Sequence, residues 1–386
     1  MKPVRTFLQQ TAIKALIAAE KPIYDITSGV FAKNRFLSSI DIPFVGTDVK
    51  ILKETENSVF LAKYNADGTI NGGDFKILCT TDLHLDENPD INDLTLSMLV
   101  NHIAKEKPDL VIFTGDVILS KYQQIDAVQF GEMMERMGIY WAYIFGNHEA
   151  REERGYFKYL ILKSLTDFKH CVSKFGKKEL YGYGNFVINI MKSETEIRES
   201  LFCLDSGRSL REPHITNNNI PRNLSGYDYI KPSQMRFYRD TLRELKREYG
   251  GDVKSMLFFH IPLPEYENIS HLNGDGTYSF NDGAEVLYGE QHESVGCSPY
   301  NSGFFKIIKE NGGEAVFCGH DHDNDFAAVY DGVYLVYNQC GGFVTYNSND
   351  PNLKLDKKDW RRGANLITLK SDGTFSLEQR FNKDFL

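Results

Sequence analysis

The chain has 386 residues, 41% of them hydrophobic and 25% charged, an ordinary globular balance that excludes a fibrous or intrinsically disordered protein. A formal net charge of −9 argues against a general nucleic-acid or anionic-membrane binder, whose expected footprint is a basic surface. No run reaches the ~18 apolar residues of a spanning helix, so a cytoplasmic protein without stable membrane insertion is expected.

Residues 5–20 have helix-forming composition, with Leu8, Ala12, Ala15, Leu16 and Ala19 near one face. A helix packed on the protein's own surface is expected, a membrane-surface helix being the alternative. Residues 47–64 read as two strands, VKIL and SVFLAKY, around a polar turn, and Asp67-Gly68 and Gly72-Gly73 mark loops. Residues 1–70 are thus expected as a helix and a β-hairpin packed on one large domain, 71–386.

From there the pattern is regular. Residues 75–81 (FKILCTT) form a buried strand, 93–106 a helix ending near Pro108, 109–115 a strand, 123–137 a helix and 139–146 a strand. Apolar strands alternating with helices indicate βαβ units and mostly parallel pairing. A helix near 155–174, strand-like runs at 184–191 and 200–204, a polar loop at 206–230 and a helix at 232–249 follow. Residues 265–303, rich in Gly, Asn and Ser, read as one long loop of the kind that is often functional. The end returns to strands: SMLFFH, EAVFCGH, VYLVYNQ, NLITLK and TFSLEQR.

Six cysteines lie far apart without a CxxC pair, three of them (Cys79, Cys203 and Cys318) in apolar strand-like runs. Buried reduced thiols are expected, with disulfides of a secreted protein as the alternative.

Five of the apolar strands end in polar residues of metal-ligand type. They deliver Asp82-Leu83-His84, Gly115-Asp116, Gly146-Asn147-His148-Glu149, His260, and Gly319-His320-Asp321-His322. Ligands at the carboxyl ends of strands in an open α/β sheet converge on one crevice. Carboxylate, imidazole and amide oxygen together suit Mn, Fe or Zn better than an all-oxygen Mg or Ca cage. One histidine after a strand is more often structural; five such ends together point to a site.

The series DLH, GD, GNHE, H and GHDH resembles the calcineurin-like metallophosphoesterase signature, in order and across residues 76–322. The resemblance implies a four-layer α/β/β/α sandwich of two mixed β-sheets flanked by helices, with a dinuclear metal site at the strand carboxyl ends. It implies that Asp82, His84, Asp116 and His322 hold one ion, that Asp116 bridges to a second, and that Asn147, His260 and His320 complete the second. A metal-activated hydroxide would then attack the phosphorus of a small phosphate ester or phosphoprotein, and His148 would contact the phosphate or protonate the leaving oxygen. Glu149 is expected to support the ligands, and Asp321 to be structural.

FFHIPLPEY, GYDYIKPSQ and SGFF resemble the branch related to purple acid phosphatases and Dcr-type phosphatases, which implies a phosphomonoesterase, phosphoprotein phosphatases included. Leu119 stands where purple acid phosphatases carry a tyrosine ligand, so a purple iron–tyrosinate centre is not expected. For substrate, Arg151 and Arg154 after the GNHE turn are candidate phosphate contacts, or else a solvated helix start; His292, Tyr227 and Arg208 are weaker ones. The expected activity is phosphomonoester hydrolysis. The alternatives are a phosphodiesterase acting on nucleotides or lipid headgroups, and a non-catalytic metal-binding scaffold.

Overall fold

The computed structural model describes residues 40–120, 122–149, 156–211, 220–221, 223–250, 253–345 and 361–385. The expected helix at 5–20 and both Arg151 and Arg154 lie outside them. In chain order the elements are β1 (Val49–Glu54), β2 (Ser58–Lys63), β3 (Phe75–Thr80), α1 (Pro89–Glu106), β4 (Leu110–Thr114), α2 (Gln123–Met137), β5 (Tyr140–Ile144) and α3 (Tyr156–Leu165). There follow β6 (Phe186–Met191), β7 (Ile197–Cys203), α4 (Pro232–Tyr249), β8 (Ser255–Phe258), β9 (Ser270–Leu272), β10 (Tyr278–Phe280) and β11 (Glu285–Tyr288). The last are α5 (Phe304–Glu310), β12 (Gly313–Cys318), β13 (Ala327–Tyr330), β14 (Val333–Tyr337), β15 (Gly363–Leu369) and β16 (Phe375–Phe381).

Two mixed sheets carry the fold. The smaller has five strands in the order β16-β15-β3-β4-β5, parallel from β3 to β5 and antiparallel at β15 and β16. The larger has nine, β1-β2-β6-β7-β8-β12-β14-β13-β11, with a parallel centre running from β7 through β8 and β12 to β14.

The two-residue period of the strands assigns their side chains to layers. Ile77, Cys79, Leu110 and Ile112 point inward and meet Met256, Phe258, Ala315 and Phe317 of the larger sheet. Leu78, Val111 and Phe113 point the other way, against residues of α1, α2 and α3. On the outer face of the larger sheet, Phe202, Leu257 and Val316 meet α4 and α5. The result is helices, sheet, sheet, helices. Between the sheets Phe258 and Phe317 stack with ring centroids 4.7 Å apart; truncating either to alanine would cost about 3–5 kcal/mol.

Local signals set the helix ends. Gly138, at φ 70°, closes α2 by donating its N–H to Met134 O and Glu135 O. Pro232 opens α4, and the Gln234 side chain accepts the Lys231 N–H at 2.8 Å. α3 ends well short of the expected 174, because residues 170–172 turn back along β5: Trp141 N–H donates to His170 O and Val172 N–H to Trp141 O.

Residues 265–303 differ most from expectation. They hold a small hairpin, β9 with β10, and then β11, which pairs with β13 at the edge of the larger sheet. The hairpin turns through Asp275-Gly276-Thr277, with the Asp275 carboxylate accepting the Thr277 N–H at 3.0 Å. The same Asp-Gly-Thr turn recurs at Asp67 and Asp372. All six cysteines are free, five of them buried. No helix among the described residues is long and apolar enough to cross a membrane.

Candidate metal centre

Five strand ends meet along one side of the paired sheets. Beyond β3, the Asp82 N–H donates to Gly115 O and the His84 N–H to Asp116 O, both at 3.0 Å, so the ends of β3 and β4 stay paired past the sheet. From the larger sheet, the Gly319 N–H donates to His260 O at 3.0 Å, and the His320 N–H crosses to Asp82 Oδ2 at 2.9 Å. These turns force unusual backbone. Asp82, His84, Asp116 and His320 have φ of 53°, 49°, 48° and 77°, and among the described residues only Lys107 and Asp331 are the other non-glycines with positive φ. Strain of this kind costs about 1–3 kcal/mol per residue and clusters at functional sites. Two glycines let the strands close up: a Cβ on Gly115 would stand 2.6 Å from His260 Nδ1, and one on Gly146 2.1 Å from Asp116 Oδ1.

The donor atoms gather in two adjoining sets. In the first, Asp82 Oδ1, His84 Nε2 and His322 Nε2 form a triangle with all three sides at 3.2 Å. A point just off that triangle's plane lies about 2.0–2.2 Å from every corner, the bond length of a divalent ion to imidazole and carboxylate. In the second set, His260 Nε2 lies 3.1 Å from Asp116 Oδ2 and 2.9 Å from Asn147 Oδ1, and the His320 ring stands edge-on to His260 with centroids 5.1 Å apart. Asp116 Oδ2 faces both sets: it is 3.8 Å from His84 Nε2, and it is a buried anionic oxygen with no aligned hydrogen-bond donor among the described residues. Imidazole, carboxylate and amide donors at these spacings fit two transition-metal ions.

His260 Nδ1 lies 2.9 Å from Thr114 O, an acceptor, so Nδ1 keeps its proton and Nε2 is the nitrogen turned to the crevice. His84 Nδ1 is buried with no such partner among the described residues. The fields are strong. Burial pushes the Asp82 carboxyl up, but the charges of His260 and His322 outweigh it and hold the group well below the carboxylate range. Burial likewise acts against ionisation of Asp116, and His260, His84 and His148 reverse it to the same side. His260, opposed by burial, is pushed up to about 10 by Asp116 and Asp82, whereas burial and the His260 charge push His320 down to about 3.

Around the donors, Glu149 is fully buried and accepts five hydrogen bonds. They come from the N–H groups of Asp116, Val117, Ile118 and Gly146, at 2.6–3.2 Å, and from the Tyr143 hydroxyl at 2.8 Å. Burial and the Asp116 charge push its carboxyl up to about 7. One side chain therefore fixes both the Asp116 turn and the turn that carries Asn147 and His148. Asp321 points away from the donors, accepts the Gly296 N–H at 2.9 Å, and is pushed up to about 7 by burial. Leu119 packs against Ile91, Met98, Phe343 and Val344.

His148 belongs to neither donor set. Its N–H donates to Asp116 Oδ1 at 2.7 Å, its carbonyl accepts from Gln123 Nε2 at 2.9 Å, and its ring, 34% exposed, stands 5.3 Å from the His84 ring on the open side. His292 sits farther out, 2.7 Å from Glu290 Oε2, and lines a cavity with His322, Asp323, Asp325, Cys340 and Arg361. Arg361, which no sequence signal singled out, is gripped by Asp325 at 2.7 and 3.0 Å. Gln123 was missed too, since nothing near it in sequence shows that its side chain reaches His148. Tyr227 packs its ring edgewise on His320, with centroids 4.2 Å apart. The Arg208 carbonyl accepts the Asp228 N–H beside it at 3.3 Å.

A family model described as calcineurin-like phosphoesterase matches residues 75–324. The chain belongs to this family. Among the relatives of this calcineurin-like phosphoesterase is an Arabidopsis thaliana protein named probable inactive purple acid phosphatase 29, 28% identical over 77% of each chain. Another is phosphatase DCR2 of Saccharomyces cerevisiae, 29% identical over 66% of this chain and 45% of that one. A solved dimetal phosphatase from Danio rerio aligns over 80% of this chain and 96% of its own, at 13% identity and a TM-score of 0.48.

Proposed function

We propose that the protein is an active dinuclear metallophosphoesterase that hydrolyses phosphomonoesters. The observation that carries this reading is Asp116 Oδ2, buried without an aligned donor and facing both donor sets. Asp82, His84, His322 and Asp116 would hold one ion; Asp116, Asn147, His260 and His320 the other. When bound, such ions supply Lewis acidity at the phosphoryl oxygens and acidify water toward neutral pH, which suits Mn, Fe or Zn.

The chain's own residues do the rest. The Thr114 carbonyl holds the Nδ1 proton of His260 and so keeps Nε2 turned toward the crevice, where it would lose its own proton to an ion. Glu149 keeps Asp116 and the Asn147 turn from relaxing into water-filled geometries. His148, part-exposed and anchored at both backbone ends, holds the proton that the leaving alkoxide needs, or donates a hydrogen bond to a phosphoryl oxygen. Arg151 and Arg154, two residues and more beyond this turn, remain proposed phosphate contacts, and His292 a more distant one. The reaction calls for no membrane or nucleic-acid partner, and the negative net charge favours neither.

The names of the Arabidopsis relatives favour a second reading, a metal-binding protein without turnover. Every donor position and His148 are present here, which favours the active one. A panel of phosphomonoesters and diesters assayed with Mn, Fe, Zn and Mg, before and after chelation, separates them. Monoester turnover that chelators abolish and metal restores is expected. Two bound ions with no turnover on any ester would leave the non-catalytic reading, and diester preference would overturn the monoester one.

A further inference from the structure

Two part-exposed aromatic rings stand over the crevice, one beside each donor set. His148 lies beside His84, and Tyr227, 40% exposed, stands on His320. Tyr227 is held firmly by its backbone. It forms a bridge with Ser209, the Leu210 N–H donates to Gly226 O at 3.1 Å, and the Asp228 N–H to Arg208 O. Asp228 next to it is fully buried, accepts the Tyr181 hydroxyl at 2.7 Å, and pairs with Lys231, whose ammonium lies 3.6 Å from the Tyr229 ring centroid. Pro299 closes against Gly226 from the other side, so close that a Cβ there would stand 3.0 Å from its ring. With both neighbours pinned and one edge of its ring against His320, the phenol is presented at the mouth of the crevice. A rigid aromatic left part-exposed at a site mouth offers contact area that a ligand completes at small entropic cost.

We propose that Tyr227 is a specificity-determining residue, a wall that stacks against the leaving group and favours esters whose phosphate is attached directly to an aromatic ring. This rests on the phosphomonoesterase reading. A phosphoryl group placed between the donor sets has the Tyr227 ring beside the second of them, so a planar leaving group on that side buries its face where a slender alkyl chain leaves the ring wet. An aromatic pair of this kind is worth roughly 2- to 10-fold in affinity beyond the area it covers.

The test uses non-hydrolysable probes on the Mn-loaded full chain, so that binding is read without turnover. Benzylphosphonate, which imitates an aryl phosphate, should bind roughly 2- to 10-fold tighter than butylphosphonate by calorimetry. Tyr227→Ala and Tyr227→Leu should each abolish that preference while keeping the metal content and the affinity for inorganic phosphate; Tyr227→Phe should preserve it. Loss of metal in the alanine and leucine variants would make Tyr227 a brace for His320 and overturn the proposal. So would a wild type without preference, or a preference that survives both variants. Were the wild type to bind neither phosphonate nor inorganic phosphate, the phosphomonoesterase reading itself would fall, and this inference with it.

Discussion

The parallel strands β7, β8 and β12 bury charge at both of their ends, and the two ends treat it in opposite ways. At the carboxyl ends, His260 and His320 join Asp82 and Asp116, whose carboxyls are held ionised by the imidazoles around them. At the amino ends, Glu199 and Glu314 lie near Lys254, which pairs with Glu314 at 2.7 Å. There burial, and then the Glu314 charge, push the Glu199 carboxyl well above its usual range. A buried carboxyl either takes up a proton or is arranged to meet cations. The amino-end cluster favours the protonated carboxyl; the carboxyl-end cluster is built so that Asp82 and Asp116 favour the ionised one.

The largest test of this contrast is Asp116→Asn. A neutral amide cannot balance two ions, so metal analysis should find both sites weakened, and turnover should fall by more than ~10⁴-fold, beyond the usual contribution of a single acid–base residue. Full occupancy by two ions in this variant would end the idea that one oxygen serves both sets. His148→Asn comes next, because His148 touches the crevice but joins neither donor set. It should keep both metals and lose roughly 10²–10⁴-fold in turnover, more for alkyl phosphates than for p-nitrophenyl phosphate, whose phenolate departs without a proton. Equal losses on the two substrates would leave phosphate binding as its task; a missing metal would make it a brace for the Asn147 turn.

The smallest effect belongs to the amino end. Because folding raises the Glu199 pKa, the folded chain holds that proton more tightly than the unfolded one. The associated stability is fully present below the unfolded value of about 4.3 and is lost as pH rises through the folded value. Glu199→Gln, neutral throughout, should match the wild-type melting temperature near pH 4 and exceed it increasingly toward pH 8, with unchanged turnover. Parallel melting curves for the two proteins across that range would show that Glu199 is ionised after all.

The carboxyl-end cluster is far more legible in the sequence than its opposite. Strand-end motifs are contiguous, and an apolar run that stops at DLH or GHDH announces both the strand and the place where it ends. α2 and α4 were legible for similar reasons, since Gly138 and Pro232 mark their limits locally. What escaped depends on partners distant in sequence. β9 to β11 are three or four residues each, half exposed, and β11 exists because β13, some forty residues on, offers it an edge. β13 itself lies in a run too short to declare its period. Tyr227 was named as a weaker candidate contact, but its seat on a histidine 93 positions later escaped, because no local spacing ties the two together. Glu199 looks like an ordinary alternating strand residue, and only burial of both faces of β7 makes it unusual.

The left-handed conformations of Asp82, His84, Asp116 and His320 carry a consequence for how this protein can change over generations. At each of them glycine, or asparagine in part, relieves backbone strain of about 1–3 kcal/mol. Replacing a donor therefore has a compensating gain in the ion-free chain that replacing an ordinary buried residue lacks. Without selection on turnover, substitution at these four positions would run downhill toward well-folded chains that lack a donor, and selection for thermal stability alone would push a library the same way. Screens aimed at a hardier variant should count metal alongside melting temperature.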